Sequence, residues 1–173
     1  MRFRVIMIGL LAGMLVWSVN IHRQADKLLN EAKELAQHQE QTIAEQQRII
    51  DKINEDRVKL KNENKELLAR LINAEAGAEW CDPEMQRLVG VVALNRTKHE
   101  GFPDTLEGVI YDEGQYACVA DGNINKIPTK RCYEVANDLI ENGYSEPTDI
   151  IYQAEFPQGN ITYKKVQNMY FCG

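Results

Sequence analysis

The chain has 173 residues and a formal charge of −6, long enough for one domain plus accessory segments. The charge is uneven: from Leu71 onward 8 basic and 16 acidic residues leave −8, whereas Asn20 to Arg70 carries 10 of each and is neutral. An acidic carboxyl-terminal part excludes a basic nucleic-acid surface, so no nucleic-acid partner is expected.

The amino terminus opens with Arg2 and Arg4 and then an almost unbroken apolar run, VIMIGLLAGMLVWSV, from Val5 to Val19, with Trp17 where an interfacial aromatic would sit. The run is shorter than the ~20 residues of a typical span. The flank SVNIHRQA offers no small-x-small cleavage site, so residues 1–21 read as an uncleaved signal anchor with the amino terminus inside. That orientation puts everything after the anchor on the extracytoplasmic side.

Between Met14 and Ala76 there is neither Gly nor Pro, and the composition turns to Glu, Gln, Lys, Leu, Ile and Ala. One long helix is predicted, with residues 22–66 forming a stalk. A heptad frame places Leu29, Ala36, Ile43, Ile50, Arg57 and Asn64 at a and Ala32, Gln39, Gln46, Ile53, Leu60 and Leu67 at d. This suits a parallel homodimeric coiled coil, with a solvated single helix as the alternative. At 1.5 Å per residue the stalk would hold the next domain roughly 75 Å from the membrane.

All five prolines and all four cysteines follow Gly77, where a globular domain begins, read as residues 67–173. Asp82-Pro83-Glu84 reads as N-cap, first helical residue and first-turn acid, launching a helix through MQRLVGVVALNR. Gly101 and Pro103 break it. A short helical turn is expected over Leu106 to Ile110, then a polar loop, EGQYACVADGNINKIPTK. Thr129 caps a further helix, RCYEVANDLIENG, that stops at Gly143. Asp149 to Ala154, Ile161 to Val166 and Met169 to Cys172 change to a strand pattern, giving an α+β domain with a small antiparallel sheet.

Four cysteines in a domain facing the exterior predict at least one disulfide, and Cys118 with Cys132 is the preferred pair because it would close the polar loop. The only histidines are His22, His38 and His99, which leaves little for a zinc site or a histidine-activated nucleophile. No metal or cofactor is expected.

The chemistry falls to Glu75. In LLARLINAEAGAEW, Glu75 lies four residues after Leu71 and three after Ile72, on the apolar face of the helix. A carboxyl group there loses hydration in its charged form, which favours holding a proton and donating it. Ala74, Ala76, Gly77 and Ala78 clear bulk around it, and Trp80 offers an apolar face on which sugars stack. Glu79 is a second acid or a capping and solubilising residue.

These residues resemble a known family. LLARLINAEAGAEW followed by MQRLVGVVALNRTKHEGFPDTLEGVIYDEGQYACVADGNIN is similar to the cell-wall hydrolase family of the spore cortex-lytic enzymes (SleB and CwlJ type). Domains of that family open with a helix-AEA-Gly-Glu motif and continue with a V-A-x-V-x-L-N-R helix and a G-F-P…I…V-I-Y…G-Q-F/Y stretch. The resemblance runs in order from about Leu67 to Cys172. It implies a small lysozyme-like α+β domain, peptidoglycan glycan strands as substrate, Glu75 as the catalytic acid and Glu79 as the second Glu of the motif. With it, Glu79, Gln115, Tyr116 and Tyr152 are read as sugar-binding residues.

The expected reaction is cleavage between N-acetylmuramic acid and N-acetylglucosamine as a lytic transglycosylase, leaving anhydromuramic ends. A water-consuming hydrolase using Glu79, Asp112, Glu113 or Asp121 as partner is the alternative, as is an inactive wall-binding scaffold. Where relatives end in I-G-N-H-x-F, this chain has Val166-Gln167-Asn168-Met169-Tyr170-Phe171, without the Gly and the His.

Overall fold

The computed structural model describes residues 2–173, with side chains described from residue 11 onward. Helix α1 runs unbroken over Arg2–Ala76, as expected of a stretch whose interior from Met14 lacks helix breakers. The chain divides into two compact units, one ending at Glu55 and the other Asp56–Gly173. Among the described residues no helix is long and apolar enough to cross a membrane, and part of the expected anchor, Val5 to Val19, lies outside the residues whose side chains are described.

The second unit is α+β. Its helices are the end of α1, α2 (Pro83–Arg96), α3 (Leu106–Tyr111), the short α4 (Ala117–Ala120) and α5 (Lys130–Glu141), with a 3₁₀ turn at Asn123–Asn125. The polar loop predicted between Glu113 and Lys130 therefore holds two helical turns. Three short strands follow, β1 (Tyr152–Ala154), β2 (Thr162–Val166) and β3 (Met169–Cys172), antiparallel and ordered β1-β3-β2.

Helix ends form where local chemistry demands. The Asp82 side chain accepts the Glu84 N–H at 2.8 Å, with Pro83 filling the first helical position where no donor is needed. Thr105 and Thr129 cap α3 and α5 in the same way. Gly143 takes a left-handed φ of 75° just beyond α5.

Helix α2 is the centre of the core. Leu88, Val89, Val91, Val92 and Ala93 are all buried, which is the pattern of a helix surrounded on every side. Leu68, Leu71 and Ile72 of α1 meet it, along with Leu139 of α5. A Cβ at Gly90 would collide with Leu139 Cδ1 and press on Ile72 Cδ1 at 3.2 Å, so the absent side chain is what lets the helices approach.

The two polar residues ending α2 latch the sheet onto it. Asn95 Nδ2 donates to the carbonyls of Pro147 and Ile150, each at 2.9 Å, while Arg96 Nε donates to that of Ile151 at 2.8 Å. The chain entering β1 is thereby fixed to the helix, and β1 is set against β3 with Gln153 opposite Phe171.

Candidate active site

Glu75 occupies the last turn of α1 and is half-buried. The helix ends one residue later, with Gly77 N–H donating to Asn73 O at 3.0 Å. A side chain at Gly77 would run into that same carbonyl, so the sharp exit after Glu75 requires glycine.

Two elements close on the Glu75 carboxyl group. From β1, Gln153 Nε2 donates to Glu75 Oε2 at 3.2 Å. From α4, the Cys118 thiol is pushed up to about 12, first by burial and then by the charge of Glu75 and the hydrogen bond made to it. The thiol therefore stays protonated at neutral pH. Tyr116, the N-cap residue of α4, is also pushed up to about 12, chiefly by burial, with the Arg96 guanidinium opposing and the Glu75 charge reinforcing the shift. Arg96 lies over the rings of Phe102 and Tyr116, at 5.0 and 5.1 Å from their centroids.

This shell is rich in polar atoms without a protein partner. Tyr116 Oη, Gln153 Oε1 and Arg96 Nη1 are buried and make no hydrogen bond within the protein. Buried polar groups are normally paired, because leaving one unpaired costs ~1–3 kcal/mol. Their gathering around one half-buried carboxyl group is what a site for a hydroxyl-rich ligand requires. A cavity of about 610 Å³ lies elsewhere, lined by Leu67, Leu94, Thr105, Leu106 and Tyr111 among others, and does not include Glu75. The candidate site is at Glu75, where the unpartnered polar atoms gather.

The residues expected from the sequence separate into two groups. Glu75 and Tyr116 come together. Gln115 is half-buried next to them in sequence, with its N–H donating to Asp112 O at 3.2 Å. Glu79 is exposed. Tyr152 points to the other face of β1, where its ring packs toward Gly159, because successive strand residues alternate sides. Gln153 is the β1 residue that reaches Glu75. The signal was present: Ile151 is apolar and buried, and a period of two puts Gln153 on its face. Arg96 was legible in a similar way, four residues after the inward Val92 on α2.

The predicted Cys118–Cys132 disulfide is absent; all four cysteines are buried free thiols. The two sulfurs serve different neighbours. Cys132, in the first turn of α5, receives the Thr129 hydroxyl at 3.1 Å and faces Asn73 Oδ1 at 3.8 Å, whereas Cys118 is turned by α4 onto Glu75. Among the described residues no group of three or more His, Cys, Asp or Glu side chains is placed to hold a metal ion.

Comparison with known proteins places the chain in a family. The profile of the cell wall hydrolase family matches residues 82–171, opening at the N-cap of α2 just after the Glu75 loop. The chain is 36% identical over 87 residues to a spore cortex-lytic enzyme of Oceanobacillus iheyensis, covering 50% of this chain and 30% of that protein. A spore cortex-lytic enzyme of Bacillus subtilis is 33% identical over 91 residues, covering 53% and 29%. The chain thus spans about 30% of the length of these curated relatives. Among solved structures, the catalytic domain of Bacillus cereus SleB superposes with a TM-score of 0.53 at 27% identity, over 64% of this chain and 91% of that one. The catalytic domain of the germination-specific lytic transglycosylase SleB of Bacillus anthracis gives 0.53 at 25% identity, over 64% and 93%. With more than half of its residues matched by the family profile and its α+β unit superposing on two SleB catalytic domains, the chain belongs to the cell wall hydrolase family.

Proposed function

We propose that this protein cleaves peptidoglycan glycan strands between N-acetylmuramic acid and N-acetylglucosamine, using Glu75 alone as acid and then base. The observation that carries this reading is the company Glu75 keeps: its side-chain hydrogen bond comes from the Gln153 amide, with the buried Cys118 thiol beside it. Glu79, Asp112 and Glu113 are exposed. Asp121 is also exposed, and it accepts from the N–H and Nδ2 of Asn123, at 2.8 and 2.7 Å. A two-carboxylate hydrolase needs a partner free to activate water or attack carbon.

In the single-acid mechanism, Glu75 gives its proton to the glycosidic oxygen as the bond from muramic acid C1 breaks with oxocarbenium character. N-acetylglucosamine leaves with a free 4-hydroxyl. The Glu75 carboxylate then takes the proton of the muramic acid 6-hydroxyl, whose oxygen closes on C1 to form the anhydro ring. No water is consumed. The lytic transglycosylase named among the structural neighbours supports this outcome. Mass spectrometry of digested sacculi should find anhydromuramic ends, lighter by one water than reducing ends. Reducing ends would replace this mechanism by hydrolysis, and intact glycan with the protein still bound would make the chain a wall-binding scaffold.

We also propose that the amino-terminal apolar run anchors the protein with its catalytic unit on the cell-wall side, paired through α1. Leu11, Met14, Leu15, Val16, Trp17 and Val19 are exposed, as are Leu29, Ile43, Ile50, Ile53 and Leu60 at the a and d positions. Exposed apolar rows of this kind support lipid and helix partners. The full-length chain should fractionate with membranes and cross-link as a dimer. Amino-terminal sequencing that begins after Ser18, or a monomer throughout, would reject the corresponding part.

A further inference from the structure

We propose that Gln167 is a positioning residue that holds Trp80 as a rigid stacking subsite for wall glycan, an inference that rests on the peptidoglycan reading above. Gln167 stands in the turn between β2 and β3 and is the one non-glycine with positive φ, 53°, among the described residues. The two-residue turn of the β2–β3 hairpin asks for positive φ here, a position that glycine, Asn or Asp usually fills, so a Gln carries a backbone cost. At Gln167 both ends of the carboxamide are committed to one distant segment. Its Oε1 accepts the Asp82 N–H at 3.1 Å and its Nε2 donates to Trp80 O at 2.9 Å. Glycine, which would suit the backbone better, could make neither bond.

The same segment is held from other sides. Arg131 of α5 donates to Cys81 O at 3.1 Å and Ala78 O at 3.4 Å, and Lys164 of β2 pairs with Glu84 just beyond it. The backbone from Ala78 to Asp82 is thus tethered at four consecutive or near-consecutive residues. The side chain it carries is left free: Trp80 is 69% exposed. An indole on a flexible loop would have to be ordered by each ligand, whereas one on a fixed backbone presents its face already oriented. Trp80 follows Glu75 by five residues, at most ~17 Å of extended chain, so one glycan strand can lie on the indole and reach the acid. An aromatic face against the C–H face of a pyranose ring is the recognition chemistry this placement provides.

Gln167→Gly and Gln167→Asn test the proposal in the full-length protein on soluble, uncrosslinked glycan strands. Both substitutions tolerate positive φ, and neither side chain spans both partners. Urea midpoints should hold or rise, kcat should stay within about two-fold, and KM should rise about five-fold or more, the weight of roughly one lost hydrogen-bonded restraint. Trp80→Ala should raise KM similarly, and combining it with Gln167→Gly should add little, because the two act on one contact. An unchanged KM in either Gln167 variant, or additive losses in the double variant, overturns the role of Gln167. That result is distinct from failure of the peptidoglycan reading, in which the unaltered protein itself would neither bind nor cut the strands.

Discussion

Glu75→Gln is expected to abolish lysis of purified sacculi, by ~10²-fold or more, while fold and wall binding persist. The magnitude is that of general acid catalysis by a positioned side chain. Gln matches Glu in size, so the packing against the buried Leu71 and Ile72 turn of α1 is kept. Its hydrogen bonds are kept as well. The Gln153 amide that now donates to Glu75 Oε2 has an unpartnered Oε1, which a new amide at position 75 can satisfy once Gln153 turns over. What disappears is the transferable proton, and with it, in the mechanism proposed above, both the protonation of the leaving oxygen and the later removal of the 6-hydroxyl proton. Thermal and urea unfolding should therefore match the parent within ~0.5 kcal/mol, as ordinary substitutions without cavity or charge burial do. Glu79→Gln, at an exposed position, should cost far less. Near-normal lysis by Glu75→Gln, or a dead Glu79→Gln, would move the catalytic assignment off Glu75.

Phe171→Ala should be the most damaging single truncation for stability. Phe171 has no exposed surface and stands on β3, the middle strand, with Gln153 of β1 on one side and Lys164 of β2 on the other. Emptying such a site typically costs ~3–5 kcal/mol, because lost transfer energy adds to that of the cavity left behind. Domains of this size have a total stability of ~5–15 kcal/mol, so the variant should sit near the edge of folding at 37 °C. The site should suffer with it, since the same strand sets the positions of Gln153 and of the Gln167 turn. Urea unfolding monitored by circular dichroism reads the change directly. A loss below ~1 kcal/mol would mean that the sheet is not packed on α2 as described.

The sequence by itself determined the longer elements and several of their ends, though not the two helical turns inside the polar loop. Uninterrupted helix formers up to Ala76, the Asp82-Pro83 start of α2, the Thr129 cap and Gly143 stop of α5, and three short strand patterns in the tail all act within a few residues. Local steric and hydrogen-bonding preferences are readable in order along the chain because their partners are nearby. The same holds for Glu75: its place on an apolar helix face follows from the spacing to Leu71 and Ile72.

Only the tertiary structure decided what meets Glu75 and what each cysteine does. Gln153 rather than Tyr152 reaches the carboxyl group because Asn95 and Arg96, more than fifty residues away, fix where β1 enters, and strand alternation turns a one-residue difference into opposite faces. Cys118 and Cys132 are separate thiols because α4 and α5 aim them at Glu75 and Asn73, directions that sequence spacing does not contain. Gln167 in a left-handed turn runs against its own backbone preference, and its bonds to Trp80 and Asp82 span more than eighty residues. Interactions of that range depend on how packed elements face one another, so their energies cannot be read from neighbours in the chain.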